Sequence, residues 1–328
     1  MKLSILDQSP ISVGSTPKEA LEASVHLAKK AEELGYERYW IAEHHDFPAL
    51  SCPAPEVMLS YLGAQTKTIR IGAGAILLPH YKPYKVAETF HLLATLFPGR
   101  IDLGIGRAPG GSAEASMALS DNYLKGVREL PEALEELLHF IRNDFSSDHL
   151  FQKVTASPFP PVEPAPWLLG TSERSAALAA KMGMAYAFGH FMSDKDVKKS
   201  IATYQESFQA SPEHKQPKTI LAVSVICAET TERAEEVASS YLLWKRQVEA
   251  GEGRQGIPSI EEAKKYSFNA EEKIRLSQKM IIGNPDEVSQ RLLEFKDMYK
   301  VDEVMIVTIT HSYRDRIKSY ELVVDAFK

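Results

Sequence analysis

The fold is decided by residues 69–105, which run IRIGAGAILLPHYKPYKVAETFHLLATLFPGRIDLGI. Residues 69–78 are mostly small, β-branched or aliphatic, which predicts a buried strand. Residues 86–96 repeat apolar side chains at helical spacing, and the Pro98-Gly99 pair ends that helix. Residues 101–105 then predict a second strand. A strand, a helix and a strand in close succession indicate two parallel strands joined by a right-handed crossover.

The same alternation continues along the whole chain. Eight segments have the pattern of strands, and a helix is predicted after each one. The predicted strands are Lys2–Leu6, Arg38–Ala42, Ile69–Leu78, Ile101–Ile105, Pro166–Leu169, Ala185–Phe188, Thr219–Cys227 and Glu303–Thr308. Eight such units can close into a (β/α)8 TIM barrel, whose active site lies at the carboxyl ends of the strands. We therefore predict an α/β protein in which residues 1–328 form one barrel domain.

An open doubly wound sheet is the alternative to the barrel. That fold normally carries a glycine-rich phosphate turn after its first strand. Here the first strand is followed by residues 6–10, LDQSP, which contain no glycine. The alternative is therefore disfavoured.

Local signals predict where helices begin and end. Thr16 is a predicted N-cap, Pro17 a first helical residue and Glu19 the third member of a capping box, while Gly35 ends the helix. A long helix is predicted over Ser120–Arg142. Two connections interrupt the rhythm. Residues 145–165 hold four prolines and predict an extended excursion before strand 5, and the polar, glycine-rich residues 250–272 predict a lid-like insertion after strand 7.

Composition excludes several classes of protein. Of the 328 residues, 44% are hydrophobic and 25% charged, which excludes a disordered or collagen-like chain and a membrane bundle. The net charge of −6 disfavours binding to nucleic acid or to anionic lipid. Cys52 and Cys227 lie far apart and outside any CxxC motif, which is typical of a reducing cytoplasm. We expect a cytoplasmic location, with neither a nucleic-acid nor a membrane partner.

The densest polar cluster is Glu43-His44-His45-Asp46, directly after the second predicted strand. Side chains alternate along an extended segment, so His44 and His45 should not both face the mouth of the barrel. A metal site is therefore disfavoured, and no metal is expected. Either histidine alone could simply be a polar residue at a strand end. The functional interpretation is that one is a titratable acid or base and the other is structural.

Three more strand ends carry candidate residues. Gly72 and Gly74 in the third strand allow a close approach, either by a flat ring system or by a helix on the outer face. Arg107 after the fourth strand would present a positive charge to an anionic ligand, unless it is an ordinary surface arginine. The fifth strand ends in Gly170-Thr-Ser-Glu-Arg-Ser175 and runs into a helix. Its hydroxyl groups and free amides could cradle a phosphate, although plain N-capping would explain them too.

Together these segments resemble the bacterial luciferase-like family of flavin-dependent monooxygenases. The resemblance rests on Trp40–His45, Gly72–Leu78, Pro98–Arg107 and Gly170–Ser175, and it extends over nearly the whole chain. It is strongest to luciferase-like oxidoreductases that have no assigned substrate. It implies a (β/α)8 barrel that binds FMN, a small-molecule substrate that reacts with O2, and a homodimer. A separate NAD(P)H:flavin reductase would supply the reduced flavin.

The resemblance also implies roles for particular residues. His44 corresponds to the active-site histidine of the family, and with an ordinary pKa near ~6.5 it could act as acid or base at cellular pH. Gly74 and Ala75 fall where the family often has a non-prolyl cis peptide beneath the flavin ring. Arg107 falls beside the flavin phosphate, and Thr171, Ser172 and Ser175 fall on the phosphate loop, where luciferase itself has a glutamate in place of Thr171.

Two alternatives remain open at the level of sequence. The chain could be a non-catalytic flavin-binding protein of the same fold. It could also be an oxidoreductase that transfers a hydride with the deazaflavin F420, as some relatives do.

Overall fold

The computed structural model describes residues 1–328. The strands are β1 Lys2–Asp7, β2 Arg38–Ile41, β3 Arg70–Leu77, β4 Ile101–Gly106, β5 Ala165–Gly170, β6 Ala185–Gly189, β7 Thr219–Cys227, β8 Met280–Gly283 and β9 Glu303–Val307. The helices are α1 Pro17–Leu34, α2 Pro55–Gln65, α3 Pro83–Leu96, α4 Ala113–Leu119, α5 Tyr123–Arg128, α6 Leu130–Arg142, α7 Glu173–Lys181, α8 Val197–Ser207, α9 Thr231–Glu249, α10 Ile260–Lys265, α11 Ala270–Ser277, α12 Pro285–Tyr299 and α13 Tyr313–Asp325. None of these helices combines the length and the apolar character that crossing a membrane requires.

Eight of the nine strands close into a parallel barrel. Neighbouring strands pair in chain order from β1 to β7, and β9 completes the ring by pairing with both β7 and β1. The register at closure joins Lys2 to Glu303 and Ile5 to Ile306. The predicted (β/α)8 TIM barrel is confirmed.

β8 is an additional strand that the sequence analysis did not predict, and it lies outside the ring of the eight predicted strands. It has only four residues and pairs with Ser224–Cys227, the last part of β7. The first part of β7 pairs with β6 through Thr219–Ala222. The insertion after strand 7 therefore runs from α9 through α11 and returns to the sheet as β8 before α12 begins.

The predicted bounds of α1 are confirmed, and the prediction of one long helix after residue 120 is wrong. The capping box of Thr16 and Glu19 is present, and Gly35 ends α1 with a left-handed backbone at φ 82°. The single helix predicted over Ser120–Arg142 is wrong, because this range holds α5 and α6 as separate helices, with α4 before them. Asn122 caps α5, and Pro131 stands in the first turn of α6, where a residue without an amide hydrogen is tolerated.

The two irregular connections differ in how much regular secondary structure they contain. The stretch 145–164 contains no helix or strand, as the prolines predict. The polar stretch 250–272 is more ordered than its composition suggests, since it contains α10 and the beginning of α11. It is held at its base by the indole of Trp244, which donates to Gly253 O at 3.1 Å. A backbone bridge also links Ile257 to Ser12, in the loop after β1.

A buried ion cluster forms the floor of the barrel at the amino ends of the strands. The guanidinium of Arg38 on β2 binds Asp102 on β4 at 2.6 Å and Glu303 on β9 at 2.7 Å, and all three side chains are fully buried. Arg70 Nη2 reaches the second oxygen of Asp102 at 2.5 Å, and the indole of Trp40 donates to the same carboxylate at 2.9 Å. Burial alone would raise the pKa of Asp102, but the two arginines hold it below its ordinary value.

We expect Asp102→Asn to lower the free energy of unfolding by about 3–5 kcal/mol, because it leaves Arg38 buried with one of its two carboxylates neutralised. The wild type should also lose stability as the pH falls below ~4, where the unfolded carboxyl begins to protonate. The variant should lack that part of the acid dependence. Urea unfolding between pH 3 and pH 7 measures both effects.

Glu249→Gln is the matched control, since it removes one carboxylate from the half-exposed pair with Arg275. It should cost less than about 1 kcal/mol. Equal losses in the two variants would contradict the role given to the floor cluster.

Candidate active site

The candidate residues gather at the carboxyl end of the barrel. His44 follows β2, Gly74 and Ala75 lie in β3, and Arg107 follows β4. Thr171 and Ser172 follow β5, and Ser175 is in the first turn of α7. Because all the barrel strands are parallel, these positions lie at one end of the molecule.

The turn after β2 is organised by Glu43, whose side chain is fully buried. One carboxylate oxygen of Glu43 pairs with His45 Nε2 at 2.7 Å and accepts the hydroxyl of Tyr81 at 2.8 Å. The other oxygen accepts the backbone N–H of Leu77 at 3.0 Å. Glu43 thus ties the turn after β2 to the end of β3. The sequence analysis gave Glu43 no role, although side-chain alternation would have placed it on the same face as His45.

His45 is therefore a structural residue of this turn, and His44 differs from it. His44 Nδ1 is buried and has no hydrogen-bond partner. Its backbone N–H is held by Cys52 O at 3.0 Å, and Phe47 packs 6.2 Å from its ring. The two histidines occupy different surroundings, as strand alternation predicts.

Burial of the ring is the larger cause and the nearby His45 the smaller one, and together they lower the pKa of His44 to about 4. The ordinary value near ~6.5 that the sequence analysis assumed is therefore wrong for this environment. His44 is a neutral imidazole at neutral pH. Its Nδ1 is therefore an uncharged group that is free to form a hydrogen bond.

The turn after β4 is fastened to the turn after β2. The backbone N–H of His45 donates to Gly110 O at 2.8 Å. A side chain at Gly111 would collide with the backbone carbonyl of His45, so only glycine fits there. Arg107 itself is exposed, and its carbonyl accepts the hydroxyl of Tyr123 at 2.6 Å. The arginine therefore lies on a fixed turn with its guanidinium free to meet a ligand.

The residues after β5 form a compact hydroxyl turn. Ser175 Oγ donates to Ser172 O at 2.7 Å and lies 3.0 Å from the hydroxyl of Tyr186. The backbone N–H of Ser172 donates back to Ser175 Oγ at 3.3 Å. Gly170 has no room for a side chain, because Ser175 fills that space. The amides in the first turn of α7 have no intrahelical acceptor, and the helix dipole makes this end positive.

Arg107 lies near this hydroxyl turn. Burial raises the pKa of Tyr186 to about 12, and both the hydrogen bond from Ser175 and the positive charge of Arg107 oppose that rise. Tyr186, which sequence analysis missed, thus marks a point close to both. The positive charge of Arg107 thus acts at the hydroxyl of Tyr186, which lies 3.0 Å from Ser175 Oγ at the start of α7. A donor set of a cation, serine hydroxyls and helix amides suits a phosphate group.

Thr171 stands on the other side of the turn. Its carbonyl accepts Ser193 Oγ at 2.9 Å, and its methyl group lies beside Gly189 and Met192. The residues after β6 therefore support the hydroxyl turn from behind.

The peptide bond between Gly74 and Ala75 is cis, as the family resemblance implies. The glycines of this strand also leave room for other side chains inside the barrel. A side chain at Gly72 would collide with Trp40 and Asp102, and one at Gly74 would collide with Leu6. Packing of the barrel interior, rather than of an outer helix, therefore requires glycine at both positions, and the approach of a flat ring stays a prediction.

Two further findings concern metal binding and a third histidine, His190. No three His, Cys, Asp or Glu side chains lie close enough together to hold a metal ion. His190 after β6 packs its ring 5.1 Å from Phe295 of α12, outside the candidate site.

Comparison with known proteins identifies relatives along the full length. Residues 1–300 match the family model described as luciferase-like monooxygenase. An uncharacterized protein of Bacillus subtilis (strain 168), YwcH, is 41% identical over 330 residues, covering 100% of this chain and 99% of the relative. The N-acetyl-S-alkylcysteine monooxygenase of the same organism is 40% identical over 331 residues, covering 99% and 98%. The crystal structure of apo-MsnO8 superposes with a TM-score of 0.88 at 37% identity, covering 99% and 98%.

We expect the His44 imidazole to titrate with a midpoint of about 4. An unfolded histidine titrates near ~6.5, so the folded protein should lose stability progressively as the pH falls from that value toward the folded midpoint. NMR of the imidazole protons measures the midpoint, with the signal assigned by its loss in His44→Asn. That variant should also lack this part of the acid destabilisation. A midpoint near 6.5 would show that the imidazole is solvated.

Proposed function

The chain belongs to the luciferase-like monooxygenase family, and we propose that it is a flavin-dependent enzyme that uses reduced FMN and O2 to oxygenate a small organic substrate. When bound, the reduced flavin supplies the two electrons with which O2 delivers one oxygen atom to the substrate and one to water. One observation carries the proposal. The buried, unpartnered nitrogen of His44 and the hydroxyl turn beside Arg107 lie at the same end of one barrel.

The donor set around the hydroxyl turn supports binding of the FMN phosphate. Arg107 would supply a charge-assisted hydrogen bond, and Ser172 would supply a hydroxyl group beside the helix amides. The hydroxyl of Ser175 would exchange its bond to Ser172 O for one to the phosphate. Thr171 would contact the phosphate from the side toward β6. Gly74 and Ala75 would border the ring system.

His44 would manage one proton at Nδ1. Burial keeps the imidazole neutral and leaves Nδ1 without a protein partner, so this nitrogen is free to hydrogen-bond a reacting group and to share its proton during the reaction. Glu43 would act as a positioning residue, because it holds the turn through His45 and Tyr81 without reaching the site itself.

The insertion after β7 would exclude water from the reacting atoms. Its Arg254 binds Asp46, next to the histidine turn, at 3.0 Å. Trp244 of α9 packs 5.9 Å from Phe47, which in turn packs near His44. These contacts cover the carboxyl end of the barrel on the histidine side.

Partners follow from the same proposal. A separate NAD(P)H:flavin reductase would supply the reduced FMN. A homodimer would form through α2 and α3, where Val57, Tyr61, Leu92 and Leu96 are each roughly half exposed or more.

The function is tested by supplying cofactors to the purified chain. Binding of reduced FMN and of reduced F420 is measured separately without oxygen, and oxygen labelled with ¹⁸O is then admitted with candidate substrates. N-acetyl-S-alkylcysteines are the first panel, because a 40% identical relative carries that activity in its name. We expect tighter binding of FMN and label in the product. Preference for F420 without label would establish hydride transfer, and FMN binding with no product from a broad panel would favour a flavin-binding protein.

We expect Arg107→Ala to weaken FMN binding by about 1–3 kcal/mol, the scale of a lost charge-assisted hydrogen bond. Calorimetry with FMN measures the change. Arg275→Ala is the control, since this half-exposed arginine lies on α11 and pairs with Glu249. Unchanged affinity for FMN in the Arg107 variant would show that its guanidinium points away from the phosphate.

We expect His44→Ala to leave FMN affinity within a few-fold and to lower turnover by about 10²–10⁴, because it removes the proton acceptor and not the phosphate contacts. Oxygenation kinetics with saturating reduced FMN give the turnover. His26→Ala removes an exposed histidine from α1 and should change neither quantity. Full activity without His44 would show that another group handles the proton.

A further inference from the structure

A cavity lies outside the candidate active site, where β6 ends and β8 begins. Its volume is about 320 Å³. The walls come from His190 after β6, from Gln278–Ile282 leading into β8, from Thr231 at the start of α9, and from α12. None of the residues proposed to bind FMN lines it.

Three basic groups converge on this cavity. Lys279 and Arg291 both line it, and burial together with the charges of these two cations lowers the pKa of His190. His190 Nδ1 is buried and has no hydrogen-bond partner. Like charges and an unsatisfied polar atom are costly to bring together without a counter-ion. The arrangement therefore lacks a negative group at its centre.

The acidic side chains nearby do not fill that position. Lys279 pairs with Asp194, whose side chain is 84% exposed, and Arg291 pairs at 2.7 Å with Glu294, its neighbour on the outer surface of α12. Exposed pairs of this kind are weak, so a ligand can replace them.

Glu287 is the one carboxylate that lines the cavity, and it forms no ion pair with Lys279 or Arg291, which pair with other residues. Its Oε2 accepts the hydroxyl of Thr231 at 2.6 Å and the backbone N–H of Asn284 at 3.1 Å, so this oxygen serves the cap of α12.

We propose that this cavity binds a small organic anion, with its carboxylate or phosphate group between Lys279 and Arg291 and beside His190 Nδ1. The side-chain amide of Gln278 would add a neutral donor. The rest of the ligand would lie against Phe295 and Ile281, which supply an apolar wall. A volume of this size holds a ligand of metabolite dimensions rather than a single ion.

The turn after β6 connects this cavity to the hydroxyl turn through side-chain contacts. His190 and Met192 belong to one short turn, and Met192 lies beside Gly189 and Thr171 while His190 faces α12. Ser193, the next residue, donates to Thr171 O at 2.9 Å. An occupant that orders His190 would thus also steady Thr171.

The experiment uses the full chain without flavin, so its result is independent of the proposed activity. Succinate and inorganic phosphate are titrated separately at constant ionic strength and neutral pH, while NMR follows the imidazole signal assigned by its loss in His190→Gln. We expect a saturable shift of this signal with one or both anions. Stronger saturation by succinate would identify a carboxylate ligand, and stronger saturation by phosphate would identify a phosphate ester.

Substitutions of the lining residues test whether the anion binds in this cavity. Lys279→Gln with Arg291→Gln should weaken the saturable effect at least about tenfold, because two charge-assisted contacts are lost. The control, Lys273→Gln with Arg275→Gln, removes two half-exposed cations that do not line the cavity and should leave it unchanged. Arg107→Ala should also leave it unchanged, which separates this cavity from the hydroxyl turn. A His190 signal that does not respond, or that responds equally in all variants, would overturn the proposal.

Discussion

The contact between Arg38 and the carboxylates of Asp102 and Glu303 is the interaction on which the rest of the structure depends. It joins the first residues of β2 and β9 to β4 across the floor of the barrel. Trp40 packs above it into the space left by Gly72 and Gly74. With the amino ends fixed in this way, the register of the parallel strands determines where each carboxyl end emerges. The ion cluster at the amino ends of the strands therefore helps to fix the positions of the candidate site residues at the opposite end.

The sequence predicted the barrel well because its signals are local and repeated. Strand pattern, capping box and terminal glycine each report on a few neighbouring residues, and α1 begins and ends where they indicate. β8 was missed because its four residues pair only with the end of β7, a contact between distant parts of the chain that no local pattern reports. The long helix over 120–142 was wrong because a cap at Asn122 and a proline at 131 divide an otherwise helical composition.

The site was predictable in position but not in chemistry. Parallel strands share one end, so the residues following them had to meet there. The contacts that set their properties join distant parts of the chain, as when Glu43 receives the amide of Leu77, 34 positions away. The pKa of His44 could not be predicted for the same reason. It depends on how deeply surrounding elements bury the ring, which no spacing within residues 43–46 encodes.

The split pairing of β7 has a mechanical consequence. Because β8 is hydrogen-bonded to the last residues of β7, the insertion is clamped to the sheet where it ends, and α9 fixes it where it begins. The arc between these two anchors is fastened to the barrel at the loop after β1, through the backbone bridge of Ile257, and at the histidine turn, through the ion pair of Arg254 with Asp46. Contacts with α9 hold it as well, among them those of Trp244 with Gly253 and of Arg246 with Tyr266. Access to the histidine side of the barrel is therefore coupled to the packing of the whole insertion.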